Sequence, residues 1–367
     1  MLGRLLPAAL LAALLGGCAG PGYYLQAASG QMKLLHARRD LDRVLADPST
    51  GAQLAARLEE ARQILAFARG KLDLPAHGSY STYVDTHRET LVWNVVAAGE
   101  FSLQPKRWCF LVAGCLPYRG YFKRRAAEKF AAKLRKKGLD VIVSPSPAYS
   151  SLGWFKDPLL NTMLSGSDVQ LAAYLFHELA HQRLYVQGDG RFNESYAGFV
   201  ANLGVTMWLR SLHRNGDLRK WRQFRRAARE FNRLVRSVRT RLAELYDSAA
   251  GPGMKRQRKA AILESLVATT ERLARTRWDG TNYFTAWLAP PLNNASLALY
   301  DTYEDRQCVF QRLYFEAGGQ MRVFHALAKQ HAKLPPARRK NWLDQDCSAA
   351  GNATMTPITP SKTGTDL

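Results

Sequence analysis

Residues 167–198 read SDVQLAAYLFHELAHQRLYVQGDGRFNESYAG, and the rest of the chain is arranged around them. Ser167 and Gln170 have the spacing of a capping box, Gly166 precedes them, and Gly188 and Gly190 follow the apolar run. The segment His177-Glu178-Leu179-Ala180-His181 therefore falls on a helix and not in a loop. Positions four apart on a helix differ by about 40° and about 6 Å, so His177 and His181 can point two imidazoles at one ion while Glu178 stands beside it. Glu194, thirteen positions beyond His181, is expected to open the next helix behind a glycine-containing turn and to offer a third ligand from its first turn. Two nitrogens, one carboxylate and a position left open for water make a catalytic zinc set, since a structural site would be closed by protein. Glu178 would serve as general base for the attacking water and hand its proton to the leaving amine. The flanking Leu175, Phe176, Leu179 and Ala180 mark this helix as buried, where a charge wants a partner. Asn193 stands where it could cap the second helix.

Both ends of the chain carry different information. Met1 to Gly17 hold one charge, Arg4, and an apolar run from Leu5 to Leu15, which is too short for a membrane span and reads as a leader. Leu15-Gly16-Gly17-Cys18 has the pattern of a lipobox, with Cys18 lipidated and becoming the first residue of the mature chain. The stretch resembles the lipobox of bacterial lipoproteins, and by that resemblance Ala19, in place of an aspartate, implies an anchor in the outer membrane with the protein facing the periplasm. Residues 346–367, rich in Thr, Pro, Ser and Gly, are expected to be disordered. In an oxidising compartment the other four cysteines, Cys109, Cys115, Cys308 and Cys347, allow three pairings. The Cys109–Cys115 loop is the cheapest to close, leaving Cys308 with Cys347.

The formal net charge is +22, and much of it lies between Arg210 and Arg277. There Arg219, Lys220, Arg222, Arg225, Arg226, Arg229, Arg233, Arg236, Arg239 and Arg241 alternate with Leu218, Trp221, Phe224, Phe231, Val235, Val238, Leu242 and Leu245. The apolar members recur at three and four, the mark of one long amphipathic helix with an arginine-rich polar face. A solvated face is one reading and attraction to anionic lipid headgroups is another. Nucleic acid ranks last, because no binding motif accompanies the charge.

Helices are expected from Tyr23 to Asp42 and from Pro48 to near Gly70. Short strands follow around Tyr80–Val84, Leu91–Val96, Phe101–Leu103 and Trp108–Val112. Arg124–Lys137 reads as a helix, Val141–Val143 as a strand stopped by Pro145 and Pro147, and Ala148–Phe155 as another strand. From Ser167 onward the pattern is helical almost to the end, with helices at Glu194–Leu212, Asp217–Ala249, Met254–Trp278, one beginning near Asn293, and Met321–Gln330. The class is α+β, mainly helical with a small N-terminal α/β part. Its organisation is a leader over residues 1–17, N-terminal helices and α/β region over 18–160, a helical zinc-peptidase region over 161–345, and the tail.

HELAHQ at His177–Gln182 and NESYA at Asn193–Ala197 resemble the gluzincin aminopeptidases, whose two stretches read HELAHQ and NEGFA. Over most of the mature chain the sequence is more similar still to bacterial lipoproteins known as predicted aminopeptidases. That likeness rests on the lipobox, Gly22-Tyr23-Tyr24, Tyr118-Arg119-Gly120-Tyr121-Phe122, Ala148-Tyr149-Ser150 with Leu152-Gly153, Asp157-Pro158, and Leu292-Asn293-Asn294-Ala295. The resemblance implies a gluzincin-like core, zinc held by His177, His181 and Glu194, Glu178 as base, and aminopeptidase action. Two departures stand out: the spacer between His181 and Glu194 is shorter than in the well-known gluzincin aminopeptidases, and their Gly-x-Met-x-Asn strand with its amine-binding glutamate is missing. Tyr149 to Gly153 occupies the equivalent place, with Tyr149, Ser150 and Gly153 as backbone contacts for an extended peptide. In gluzincins an oxyanion donor often comes from a downstream Tyr or His, and Tyr303 is the candidate here, with Tyr300 and Tyr283 behind it. The expected function is zinc-dependent hydrolysis of peptides. Its alternatives are an endopeptidase or amidase acting on envelope peptides, and a non-catalytic basic lipoprotein that binds anionic lipid.

Overall fold

Among the described residues helices dominate and the strands gather in three small sheets, so the fold is the mainly helical α+β arrangement expected from the sequence. The computed structural model describes residues 21–76, 78–110, 114–146, 156–289, 292–298 and 306–345. It opens with α1 (Pro21–His36), β1 (Arg39–Asp40), α2 (Leu41–Ala46) and α3 (Ala52–Leu72). Next come β2 (Thr82–Val84), β3 (Val92–Gly99), β4 (Trp108–Phe110), β5 (Gly114–Leu116), β6 (Arg119–Tyr121), α4 (Arg124–Arg135), β7 (Leu139–Ser146) and β8 (Leu159–Leu160). Two long helical pairs follow, α5 (Asp168–Arg183) with α6 (Gly190–Ser211) and α7 (Asn215–Asp247) with α8 (Pro252–Arg277). The shorter α9 (Thr285–Leu288), α10 (Asn294–Ala298), α11 (Gln307–Glu316), α12 (Met321–Ala332) and α13 (Pro336–Leu343) complete it. No described helix is long and apolar enough to cross a membrane. The leader, Cys18, the strand expected at 148–155, Tyr300, Tyr303, Cys347 and the tail lie outside the described residues.

In one sheet β1 and β8 flank β2, antiparallel and parallel respectively, with Tyr83 opposite both Arg39 and Leu159. In another, β6 and β7 run antiparallel to the central β3. The third is the β4–β5 hairpin, where Cys109 faces Cys115 and is disulfide-bonded to it. Cys308 is disulfide-bonded as well. Two strand expectations need correcting. Pro145 does not stop its strand: β7 continues to Ser146, with Pro145 paired opposite Trp93. That position is tolerable because β7 is an edge strand, where a missing N–H removes no ladder bond. Phe101–Leu103 is no strand but the turn after β3, closed by the Ser102 N–H on the Gly99 carbonyl at 3.1 Å.

Three cores hold these elements. The largest joins α3, α5, α6, α11 and α12 with the β1–β2–β8 sheet around Leu58, Ile64, Phe176, Phe192, Tyr196 and Phe324. It draws on both sides of residue 160, so the N-terminal helices and the motif helices share one interior. A second core fills the space between α7 and α8 and is capped by Trp278, Phe284 and Leu297. The third lies between the β6–β3–β7 sheet and α4. Lys259 of α8 reaches Asp140 of β7 at 2.5 Å, and the buried Asn294 donates from its backbone to the same carboxylate at 2.9 Å. Its side chain also donates to the carbonyls of Gly99 and Glu100. These bonds pin α8 and α10 to the sheet.

Candidate metal centre

The capping box expected at the start of α5 is formed in both directions. Ser167 Oγ accepts from the Gln170 N–H at 3.2 Å, and Gln170 Oε1 accepts from the Ser167 N–H at 2.9 Å. Fixing the first turn fixes the phase of the whole helix. Leu171, Leu175, Phe176 and Leu179 then point into the core, and Tyr174, His177, Glu178 and His181 share the half-buried face. Helix α6 crosses close behind: a Cβ on Gly204 would meet Phe176 and Leu72 side chains at 2.7 Å, so only glycine permits this approach.

Glu194 does not open its helix. Asp189 is the N-cap, accepting from the Phe192 N–H at 3.0 Å, and α6 begins at Gly190, which puts Glu194 in the second turn. Asn193 is not the cap either. It is 1% exposed and clamps the interhelical loop, donating to the Val186 carbonyl and accepting from the Val186 N–H, both at 2.8 Å. The loop is thereby tied to the residue next to Glu194. Gly188, at φ +80, supplies the left-handed step that turns the chain back.

The result brings three ligand atoms together. His177 and His181 Nε2 lie 3.0 Å apart, with Glu194 Oε2 at 3.3 Å from the first and Oε1 at 3.5 Å from the second. Among the described residues this is the one group of three His, Cys, Asp or Glu side chains whose donor atoms all lie within 4.8 Å of one another. Burial pulls His177 down, but the Glu194 hydrogen bond and charge lift it above its ordinary value. Burial, then the neighbouring His177, push His181 down to about 4. Burial raises Glu194, and the hydrogen bond from His177 outweighs it, so its carboxyl sits below the ordinary range. Two imidazole nitrogens and a carboxylate all turned on one point form a donor set that a single cation satisfies, and the set fits zinc in its chemistry. The His177 and Glu194 side chains keep 27% and 25% of their surface exposed, so the point is reachable from solvent.

Glu178 stands beside the three, and its charge reaches two buried phenols. Burial first, then Glu178 among other neighbours, pushes Tyr80 and Tyr174 well above the ordinary tyrosine range. Tyr80 and Tyr174 line a recess of about 10 Å³ together with Asp157 and Gln31. That is room for one water-sized group. Asp157 is 5% exposed, and Gln31 Oε1 is buried with no hydrogen-bond partner. Tyr80 holds φ at 63, a left-handed conformation that costs a non-glycine residue on the order of 1–3 kcal/mol. Its N–H donates to the Asp157 carbonyl at 2.6 Å. Sequence reasoning did not assemble this recess, because its walls come from α1, from the turn before β2, from the segment before β8 and from α5. Asp157 alone had a signal, as part of Asp157-Pro158. Tyr185 was also missed; its ring lies 6.3 Å from that of His181 and is 48% exposed. Tyr283 packs against Phe224 and Trp278 in the second core, away from this site. Tyr149, Ser150, Gly153 and Tyr303 lie outside the described residues.

Over residues 22–343 the chain matches the model of a family described as "Putative aminopeptidase", and it belongs to that family. No curated protein and no solved structure matches it.

Proposed function

We propose that this chain is a zinc aminopeptidase of gluzincin type, with His177, His181 and Glu194 as metal ligands and Glu178 as general base. One observation carries the reading: three ligand atoms from two facing helices meet within 4.8 Å, with a glutamate adjacent to the first. Zinc bound there would supply Lewis acidity and lower the pKa of water. Glu178 takes the proton from the attacking water and passes it to the departing amine, a role that needs a carboxylate close to the metal but not bound to it. Asp157 and Gln31 provide oxygen acceptors, and Tyr80 and Tyr174 aromatic walls, in a recess whose Tyr174 lies one turn before Glu178 on α5. Such walls suit the free ammonium of a peptide. This assignment supplies the carboxylate that the missing Gly-x-Met-x-Asn strand would otherwise provide. The same reading places the protein in the envelope, lipidated at Cys18 on the outer membrane and facing the periplasm.

The test pairs metal content with turnover. Glu178→Gln should keep about one zinc per chain and lose roughly 10²–10⁴-fold in kcat. Full activity in that variant removes Glu178 from the mechanism. The wild type should cleave a peptide with a free amino terminus and spare its acetylated twin, while Asp157→Asn, and more gently Gln31→Leu, should raise KM for the free peptide. Equal cleavage of both peptides would instead identify an endopeptidase acting through the same metal set.

A further inference from the structure

The solvent face of α7 carries a straight row of charge. Arg222, Arg226, Arg229, Arg233 and Arg236 follow one another at intervals of four, three, four and three, and all five are exposed. At about 1.5 Å per residue the row is roughly 21 Å long. The opposite face, from Ala227 and Phe231 through Val235 and Val238 to Leu242, is buried in the second core, so the row cannot turn inward. Among the described residues none of the five has an ion pair, although Lys220 on the same helix reaches Asp217 at 3.9 Å and Arg277 on the neighbouring helix reaches Glu230 at 3.1 Å. The charge is felt nearby: burial and then the proximity of Arg222 hold Arg210 below its ordinary value. Acidic residues return to this face only beyond the row, at Glu244 and Asp247.

We infer that this row is a docking surface for an anionic lipid bilayer. A protein partner would be met by aromatic or aliphatic anchors, and α7 exposes no large apolar side chain. The helix is therefore suited to lying on headgroups and not to inserting between acyl chains. Lipid is favoured over a soluble polyanion by what lies at the end of the row. Arg236, Arg239 and Thr240 line an open groove of about 490 Å³ together with Phe101, Leu103, Tyr246 and one acidic residue, Asp247. Two arginines and the apolar side chains of one groove suit a phosphate headgroup with its first methylenes, whereas a polyanion without acyl chains leaves the apolar lining unfilled. The assignment does not depend on the metal centre.

The experiment uses the chain from Ala19 onward, since all three cores lie within residues 41–343 and none loses a member. Flotation with vesicles of phosphatidylcholine alone and of phosphatidylcholine with 30% phosphatidylglycerol, as a probe concentration of about one anionic lipid in three, reads the partition coefficient. The chain should bind only the anionic vesicles and be released as salt rises from about 0.05 to 0.5 M. Changing Arg222, Arg226, Arg229, Arg233 and Arg236 together to Gln should weaken binding at least about a hundredfold, and to Lys should preserve most of it. Removing as many charges from α4 and the two residues after it, by Gln at Arg125, Lys129, Lys133, Lys136 and Lys137, should change it far less. Equal losses from the two sets would reduce the effect to net charge and overturn the assignment. Retention on heparin with no vesicle binding would overturn it in favour of a soluble polyanion.

Discussion

The two long helical pairs solve the same packing problem in opposite ways. In α5–α6 most of α6 is enclosed, with Asn193, Ser195, Asn202 and Thr206 buried among its apolar residues, while α5 buries Leu171, Leu175, Phe176 and Leu179 and keeps His177, Glu178 and His181 half-buried. In α7–α8 the apolar residues form one inner stripe and charge is the rule outside it. A charge therefore means different things in the two places. Inside α5–α6 a carboxylate or imidazole carries a desolvation cost that packing alone would remove, so its presence asks for a chemical reason. On α7 an arginine costs little, and the informative fact is that among the described residues none of the five successive arginines has an ion pair. Function is read from presence in one pair and from missing neighbours in the other.

Substitutions can break or sharpen this contrast. The largest effect is expected inside α7, where Phe231 stacks on Phe284 at 4.0 Å and is almost wholly buried. Phe231→Ala should cost about 3–5 kcal/mol in urea unfolding, whereas Arg229→Gln on the opposite face should stay within about 0.5 kcal/mol. Similar losses at both positions would mean that α7 has no solvated side.

The next effect probes by pH the packing of α12 against α6. Behind the metal centre His325 accepts at Nδ1 from the Tyr196 hydroxyl and donates from Nε2 to the Leu72 carbonyl, each at 2.8 Å. Burial, opposed by the bond to Leu72, pushes it down to about 4. Because the folded value lies below the unfolded value of about 6.5, its contribution is complete above pH 6.5 and is lost as pH falls toward 4. That amounts to about 3 kcal/mol across the window, and His325→Gln should flatten the slope while lowering stability at pH 7.5. An unchanged slope in the variant would assign the acid sensitivity to other groups. The smallest effect is Ser167→Ala, which removes one arm of the capping box and should cost about 1 kcal/mol, measured by the same unfolding curves.

What could be read from the sequence follows the range of the interactions. The capping box, the paired histidines and the stripe on α7 depend on neighbours three, four or seven positions away, and all three stand as expected in the helices that form. Errors begin where distant chain decides. Glu194 reads as a helix start because Gly188 and Gly190 look like a break, yet Asp189 caps first and Gly190 enters the helix. Pro145 reads as a stop until its strand proves to be an edge. Helix α13 leaves little trace in sequence because its support is tertiary: Arg339 reaches Asp189 at 2.5 Å, and Trp342 stacks on His331 and packs edge-on against Phe310. The recess at Asp157 has no local signature at all, since four separate segments contribute its walls.

The clamp between Asn193 and Val186 has a consequence for how the centre meets its ion. With the loop fastened from both sides, the thirteen-residue step from His181 to Glu194 is held at its working length by the protein alone. Under the proposed zinc assignment, metal association would resemble the seating of a part in a finished socket, not the closing of a clasp. Little order remains to be created, so the ion's affinity reflects coordination with almost no folding component. A chelator would empty such a socket without loosening the two helices that frame it.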